Sequence, residues 1–515
     1  MDNPRENTKR IAKNTVFLYL RTLFTVIIGL YTSRVILNVL GVSDYGTYTL
    51  VGGFVAVFST VAGVFPAAIQ RFLTYELGKN NQERLKRVFS TSINIQVALA
   101  LVMFVVAEIA GVWWLNNKIN IPAERMTAAY WVFQFSLLNY MLGLMNMPYI
   151  AVITAHEHFK TFALVGLLDA VFKLCAVLLL MVLPADKLVA YSVLVLCFSF
   201  IIRIIYNVYC RKHFTETKYK YVYDKGLLKE MLSLVGWNFF GSTAQAASRH
   251  GVTIVLNLFF GTVVNAAQGI AVQVNGTIST FIYNFMTALN PQITKSYASG
   301  EHQYMFSLVQ QGARFSFYLL LFLSLPVLLE TEYILTIWLK ITPPAHSVNF
   351  VRLMLIGSLL GSLANTFYTV MMATGKIKKY QIWVSSLQML ILPVVYVALK
   401  FGSTPEMAML ISIIIGHLSF FVQLFLLSRS VGLSVGFFLK KVYVNVLIVA
   451  FLSAVLPLLV YLNMEQGIVR LLCVCVVSVL SSGTFILFAG CKKEERKFLM
   501  NKVNVLIKKV IASEK

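Results

Sequence analysis

The 515-residue chain is 58% hydrophobic and only 13% charged, with a mean hydropathy of +0.75. A soluble domain carries about 25% charged residues, so this composition excludes a water-covered globule and makes lipid the solvent for most of the chain. The formal charge of +23 lies in short segments between long apolar runs, which reads as membrane topology and not as a nucleic-acid-binding face. The six cysteines (Cys175, Cys197, Cys210, Cys473, Cys475 and Cys491) show no CxxC and no paired spacing, so neither a disulfide framework nor a metal site is expected.

A bilayer core about 30 Å thick needs roughly 20 apolar residues of helix. Segments of that length recur about fourteen times. In chain order they are 13–37, which follows a polar start and is read as an uncleaved span, then 46–68, 88–115, 127–152, 161–183 and 188–210. A basic stretch, 211–230, interrupts the series. After it come 231–258, 264–290, 306–329, 347–373, 382–400, 406–428, 442–463 and 467–490, and a basic tail closes the chain. The fold class is therefore an all-α integral membrane protein. If the N-terminus is cytoplasmic, inside segments hold about 31 Lys and Arg against about 5 outside. The positive-inside rule then places both termini in the cytoplasm. The outside connections are short, leaving no extracytoplasmic domain to hold an active site, and no catalytic constellation stands out. Residues 497–511 have apolar positions at helical spacing with lysines between, which suits either an amphipathic helix on the inner leaflet or a basic tail that only fixes topology.

Six spans on each side of the linker, with two left over, suggest an internal repeat. The run 35-VILNVLG-41 echoes 254-IVLNLFFG-261, and QRFLTYELG, ending at Gly78, echoes QITKSYASG, ending at Gly300. Because both halves start on the same side, the repeats are parallel and related by a pseudo-two-fold along the membrane normal. The expected organisation is an N-lobe over 1–210, a cytoplasmic basic linker over 211–230, a C-lobe over 231–428, two further helices over 429–490 and a basic tail over 491–515.

Charged groups within spans cost on the order of 3 kcal/mol and should face protein or water. Arg34, Arg203, Arg352 and Arg470 lie near predicted span ends, where snorkelling to headgroups is the usual explanation. Arg21, Arg249 and Arg314 lie deeper, although Arg314 could also reach the inner surface. In the seventh span Asn238, Ser242, Gln245, Arg249, Thr253 and Asn257 recur at steps of three and four and share one helix face. Gln273, Thr277, Thr280, Asn284 and Thr287 do the same in the eighth span, and Arg21, Thr25 and Thr32 in the first. Such stripes serve either helix–helix packing or a hydrated cavity, and an arginine in mid-stripe favours the cavity. Guanidinium groups in such a cavity suit a diphosphate, which they fork bidentately, and hydroxyl and amide groups suit sugars. Asp169 and Lys173, four residues apart, form either a packing pair or an ion-coupling site. His417 is either hydrogen-bonded within the bundle or part of ion coupling. Glu108 looks interfacial.

The segments 28-IGLYTSRVILNVLGVSDYGTYTLVGGFVAVF-58, 236-GWNFFGSTAQAASRHGVTIVLNLFFGTVVNAAQGIAVQVNG-276 and 289-LNPQITKSYASGE-301 resemble the polysaccharide (O-antigen and capsule precursor, Wzx-type) flippases. These belong to the multidrug/oligosaccharidyl-lipid/polysaccharide exporter superfamily. The resemblance implies an alternating-access carrier in a bacterial inner membrane, moving an undecaprenyl-pyrophosphate-linked oligosaccharide outward without a cofactor. The implied partners are that glycolipid, membrane lipid, and the polymerase and glycosyltransferases of the same pathway. Lipid II flippases of this superfamily also use a cationic cavity, but the arginines here fall at other offsets, so only the type of site carries over. Arg249, Arg21 and Arg314, with Asn238, Gln245, Thr25, Gln273 and Asn284, are the expected substrate-binding residues. Asp169, Lys173 and His417 are the candidates for ion coupling. The alternatives are a cation-coupled multidrug extruder, which would call for cavity carboxylates and aromatic faces, and a lipid II-type flippase.

Overall fold

The structure is a computed structural model that describes residues 4–117, 123–183, 185–339, 342–497 and 500, with some side chains of the first helix left undescribed. The amphipathic tail expected over 497–511 therefore falls almost wholly outside the described residues. Among those residues the chain is helical, with no strand. The helices are α1 Pro4–Ala62, α2 Phe65–Gly78, α3 Gln82–Asn117, α4 Met126–Ala155, α5 Phe159–Leu179, α6 Lys187–His213, α7 Lys225–Ala298 and α8 His302–Leu329. They continue as α9 Thr331–Leu339, α10 Ser347–Ser362, α11 Asn365–Thr374, α12 Lys378–Lys400, α13 Glu406–Val431, α14 Val435–Phe438, α15 Val444–Asn463 and α16 Ile468–Phe485.

Eleven described stretches are long and apolar enough to cross a membrane. The second arm of α1 with α2, and the two arms of α7, complete the expected fourteen. Large apolar side chains such as Phe24, Ile109, Leu258, Phe451 and Leu462 are exposed along these helices, which only a lipid solvent makes favourable. The chain is thus a multi-pass membrane protein.

At 1.5 Å per residue, α1 (59 residues) and α7 (74 residues) would run on the order of 90 and 110 Å if straight, about three times the bilayer core. Both are broken at a glycine. Gly41 sits at φ 79°, ψ 168° and Gly261 at φ 74°, ψ −163°. This region of backbone space is essentially open to glycine alone. Each break folds its helix back on itself: Ile36 and Leu40 share a buried cluster with Val51 and Val55, and Val252, Val255 and Leu256 share one with Val264, Ala267 and Ala271. The paired motifs read from the sequence end at these two glycines, so the repeat is a repeated backbone device.

The chain forms two compact units. Unit 1 comprises 1–242 with two short later segments, 287–302 and 372–377, and unit 2 comprises 243–286, 303–371 and 378–515. In unit 1 the linker after α6 is held along α3: Asn94 donates to the Val222 carbonyl at 3.1 Å, Tyr219 donates to Asn94 at 2.8 Å, and buried Glu216 meets His156 at 2.5 Å. In unit 2, α15 packs on α16, and the short π-turns Leu439–Tyr443, leading into α15, and Ile486–Gly490, leaving α16, distort one end of this pair.

Candidate functional site

In unit 1, Arg21 projects from α1 onto α5. Its guanidinium carbon lies 4.3 Å from the Phe162 ring centre and rests against Gly166, where any Cβ would run into the guanidinium. Glycine here is therefore a cradle for a charged group. Tyr206, buried on α6, feels both Arg21 and Asp169. Asp169 is matched on its own helix, with Lys173 Nζ 2.8 Å from its carboxylate and both side chains partly exposed. Thr25, one turn beyond Arg21, has a buried hydroxyl with no partner among the described residues. Among the described residues Arg21 meets no carboxylate.

Along the first arm of α7 the packed face carries Ala244, Ser248, Val252, Val255 and Leu256. Gln245, Arg249 and Asn257 are exposed beside that face, while Asn238, at the start of the stripe, is 2% exposed. The Arg249 guanidinium makes no ion pair or hydrogen bond among the described residues. On the second arm Gln273, Thr277 and Thr280 are exposed, the two hydroxyls donating to the carbonyls of Gln273 and Gly276 at 2.9 Å, whereas Asn284 is buried.

Arg314 is enclosed in unit 2, 4% exposed. Its Nη1 donates to the Gly490 carbonyl at 2.7 Å and its Nη2 to Glu495 at 2.7 Å. Tyr318 donates to Asn445, and Asn445 donates to the Ala489 carbonyl at 3.0 Å, so this network fastens α8 to the last helix pair. His417 Nε2 lies 2.8 Å from the Tyr443 hydroxyl, its ring stacked on Phe420.

Three arginines expected to snorkel are instead bonded inside the protein. Arg352 donates to the carbonyls of Leu328 and Leu329 at 3.0 and 3.3 Å, capping the C-terminal end of α8, where the helix dipole favours a cation. Arg203 donates to the Met145 carbonyl and stacks on Tyr149 close to Pro148 in α4. Arg470 forks onto Glu330 at 2.7 and 2.9 Å, both side chains buried. Carbonyls at the end of α8, a carbonyl within α4 and a buried carboxylate take these three guanidinium groups inside the protein. The side chain of Arg34 is outside the described residues.

One cluster escaped the sequence reading. Glu157 sits between α4 and α5 at φ 62°, its side chain 2% exposed. Its carboxylate accepts from Gln292 Nε2 at 2.6 Å and Lys295 Nζ at 2.7 Å, and Arg10 Nε lies 2.9 Å away. Nearby, Arg71 donates to the carbonyls of Met372 and Ala373 at 2.9 and 2.8 Å. The available signal was the motif echo: Tyr75 and Tyr297, which match in the two copies, have ring centres 6.4 Å apart. Beside this cluster His156, His158, His213, Tyr209 and Phe214 pack together. Burial, then the charges of His156 and His213, hold the His158 pKa below its usual value. Burial raises that of Glu216, but the hydrogen bond from His156 and its own backbone N–H outweigh it and the net shift is downward. At the other end of unit 1 Arg125 bridges Asp44 and Asp186, where hydrogen bonds from Val189, Leu188 and Arg125 more than offset burial and lower the Asp186 pKa.

Residues 11–297, more than half the chain, match the family described as polysaccharide biosynthesis protein. The chain belongs to that polysaccharide biosynthesis protein family. No curated protein matches it in sequence. The fold of this family member is that of solved MATE structures. A MATE in complex with MaL6 superposes with TM-score 0.70 at 10% identity, covering 84% of this chain and 97% of that one. An outward-facing multidrug resistance MATE family transporter of the MOP superfamily gives 0.66 at 12%, covering 84% and 96%. A MOP superfamily transporter from Pyrococcus furiosus, described as having a binding pocket of reverse polarity, gives 0.68 at 10%, covering 84% and 96%. At such identities the likeness establishes the fold.

Proposed function

We propose that this protein is a flippase, not an enzyme, that carries a polyprenyl-pyrophosphate-linked oligosaccharide across the bacterial inner membrane by alternating access. Membership of the polysaccharide biosynthesis family supports the pathway. The observation that carries the substrate class is the sign of the uncompensated charge within the spans. Among the described residues Asp169 in mid-span is offset by Lys173 at 2.8 Å and Asp44 in α1 by Arg125. Glu108, two turns from the end of α3, has the Gln134 amide at 2.7 Å, and Glu406, which opens α13, has His346 and Asn349 at 2.6 and 3.1 Å. Arg21 and Arg249 meet no carboxylate among the described residues. A guanidinium at membrane depth must meet water or a ligand, since acyl chains offer it nothing. A diphosphate supplies the matching charge and the bidentate geometry.

Arg249 and Arg21 are the proposed diphosphate ligands, with exposed Gln245 and Gln273 offering hydrogen bonds to sugar, whereas Asn238, Asn284 and the Thr25 hydroxyl, buried in this structure, would have to be uncovered to take part. Arg314, already engaged by Glu495 and Gly490, would have to leave both to take part. A drug extruder would need the opposite: free carboxylates for organic cations. Asp169–Lys173 and His417–Tyr443 are the pairs to test for ion coupling.

The test is to delete the gene and locate sugar-loaded polyprenyl carriers. The proposal expects them to accumulate on the inner leaflet while surface glycan disappears. Restoring Arg249→Ala should leave export reduced at least about tenfold, the loss of one charge-assisted fork, with Arg249→Lys intermediate. Unchanged glycan with new sensitivity to cationic dyes would refute the assignment in favour of an extruder.

A further inference from the structure

The polar cluster around Glu157 and Arg71 has a composition unlike the packed cores. Two short segments from late in the chain, 287–302 and 372–377, belong to unit 1 and are held there by charged groups. Glu157 takes the first through Gln292 and Lys295, with Arg10 on the same carboxylate. Arg71 takes the second by two backbone carbonyls, its Nη2 lying where a Cβ on Gly375 would intrude. Backbones meet closely: a Cβ on Gly78 would lie 2.8 Å from the Lys295 carbonyl oxygen and from the Ala298 Cβ. The two copies of the QRFLTYELG/QITKSYASG motif are thus pressed together, and ions and amides do the holding.

That choice of chemistry matters for reversibility. An apolar contact, when opened, exposes hydrocarbon surface to water with nothing in return. Opened charged groups regain hydration, which offsets much of the lost bonding while the closed geometry stays specific. Gly300 at φ 80° and Gly375 at φ 72° lie within the two held segments in conformations that glycine adopts without strain.

We propose that Glu157 is the catch of a gate at this end of unit 1: its carboxylate retains segment 287–302 while Arg71 retains 372–377, and a transport cycle requires both to let go. The inference rests on the carrier reading above. Its test is a distance measurement that needs no substrate. Spin labels go on Lys79→Cys and Ser299→Cys, both exposed positions, in a chain whose other cysteines are replaced, in lipid bilayers. The parent should show mainly the short separation. Glu157→Gln removes the charge that Lys295 and Arg10 share and should raise the ratio of long to short separations about tenfold. Lys295→Met should do the same if the first variant is poorly folded, and Glu157→Asp, which keeps the charge beside Lys295 and Arg10, should stay near the parent distribution. An unshifted distribution in folded Glu157→Gln and Lys295→Met overturns the gate. A shifted distribution in these variants, in a protein whose deletion leaves surface glycan unchanged, would reject the proposed cargo and leave the gate standing.

Discussion

The Glu330–Arg470 fork offers the sharpest quantitative test of the fold. Glu330 lies at the junction of α8 and α9, Arg470 in the first turn of α16, and their side chains are 0% and 10% exposed. The guanidinium also stacks on Tyr461 at 4.5 Å and donates weakly to the Met464 carbonyl. Replacing Glu330 with Gln keeps the shape but leaves a cation buried against a neutral amide. Two charge-assisted bonds lose their ionic component, and removing one partner of a buried pair typically costs about 3–5 kcal/mol. Replacing both, as Glu330→Leu with Arg470→Met, removes the unmatched charge along with the bond, so the double variant should return to within about 1–2 kcal/mol of the parent. Equilibrium unfolding in mixed micelles measures both numbers, and with the single variants Glu330→Leu and Arg470→Met it closes a double-mutant cycle whose expected coupling is at least about 2 kcal/mol. If Glu330→Gln stays within about 1 kcal/mol of the parent, the guanidinium is reaching water or headgroups and the buried fork is wrong.

Gly261→Ala should destabilise by about 1–3 kcal/mol purely through backbone strain, because nothing lies within 4 Å of the added methyl; Gly41→Ala should behave alike in the same unfolding assay. Gly166→Ala should displace the Arg21 guanidinium from Phe162 and lower export as Arg21→Ala does, while thermal unfolding shifts little; equal export in parent and variant would remove Arg21 from the site. For His158 the sign follows from its lowered pKa: the unfolded chain binds the proton more readily, so stability falls as pH drops through the ordinary value of 6.5. His158→Gln should flatten the melting-temperature profile between about pH 7.5 and 5.5, whereas its neighbours His156, His213, Lys295, Glu157 and Glu216 remain in place.

Lipid solvent makes much of this protein readable from its sequence. Every backbone amide in a span must be bonded within its own helix, so span number and length follow from local hydropathy, and about fourteen helices were countable without coordinates. The polar stripe through Arg249 was legible for the same reason, since helical spacing is a local property. The echo ending at Gly41 and Gly261 marked where the backbone turns, because only glycine reaches that conformation. The fate of each charge was decided by tertiary structure alone. Arg470 finds Glu330 140 residues away, Arg314 finds Gly490 176 away, and Arg71 finds Met372 301 away. Snorkelling is a rule about one helix in lipid, and it gives way when packing brings a carboxylate or a helix-end carbonyl closer than the headgroups. Glu157 stayed hidden for that reason: a lone carboxylate in a short basic loop acquires its meaning from Arg10, Gln292 and Lys295, which no spacing in the sequence connects to it.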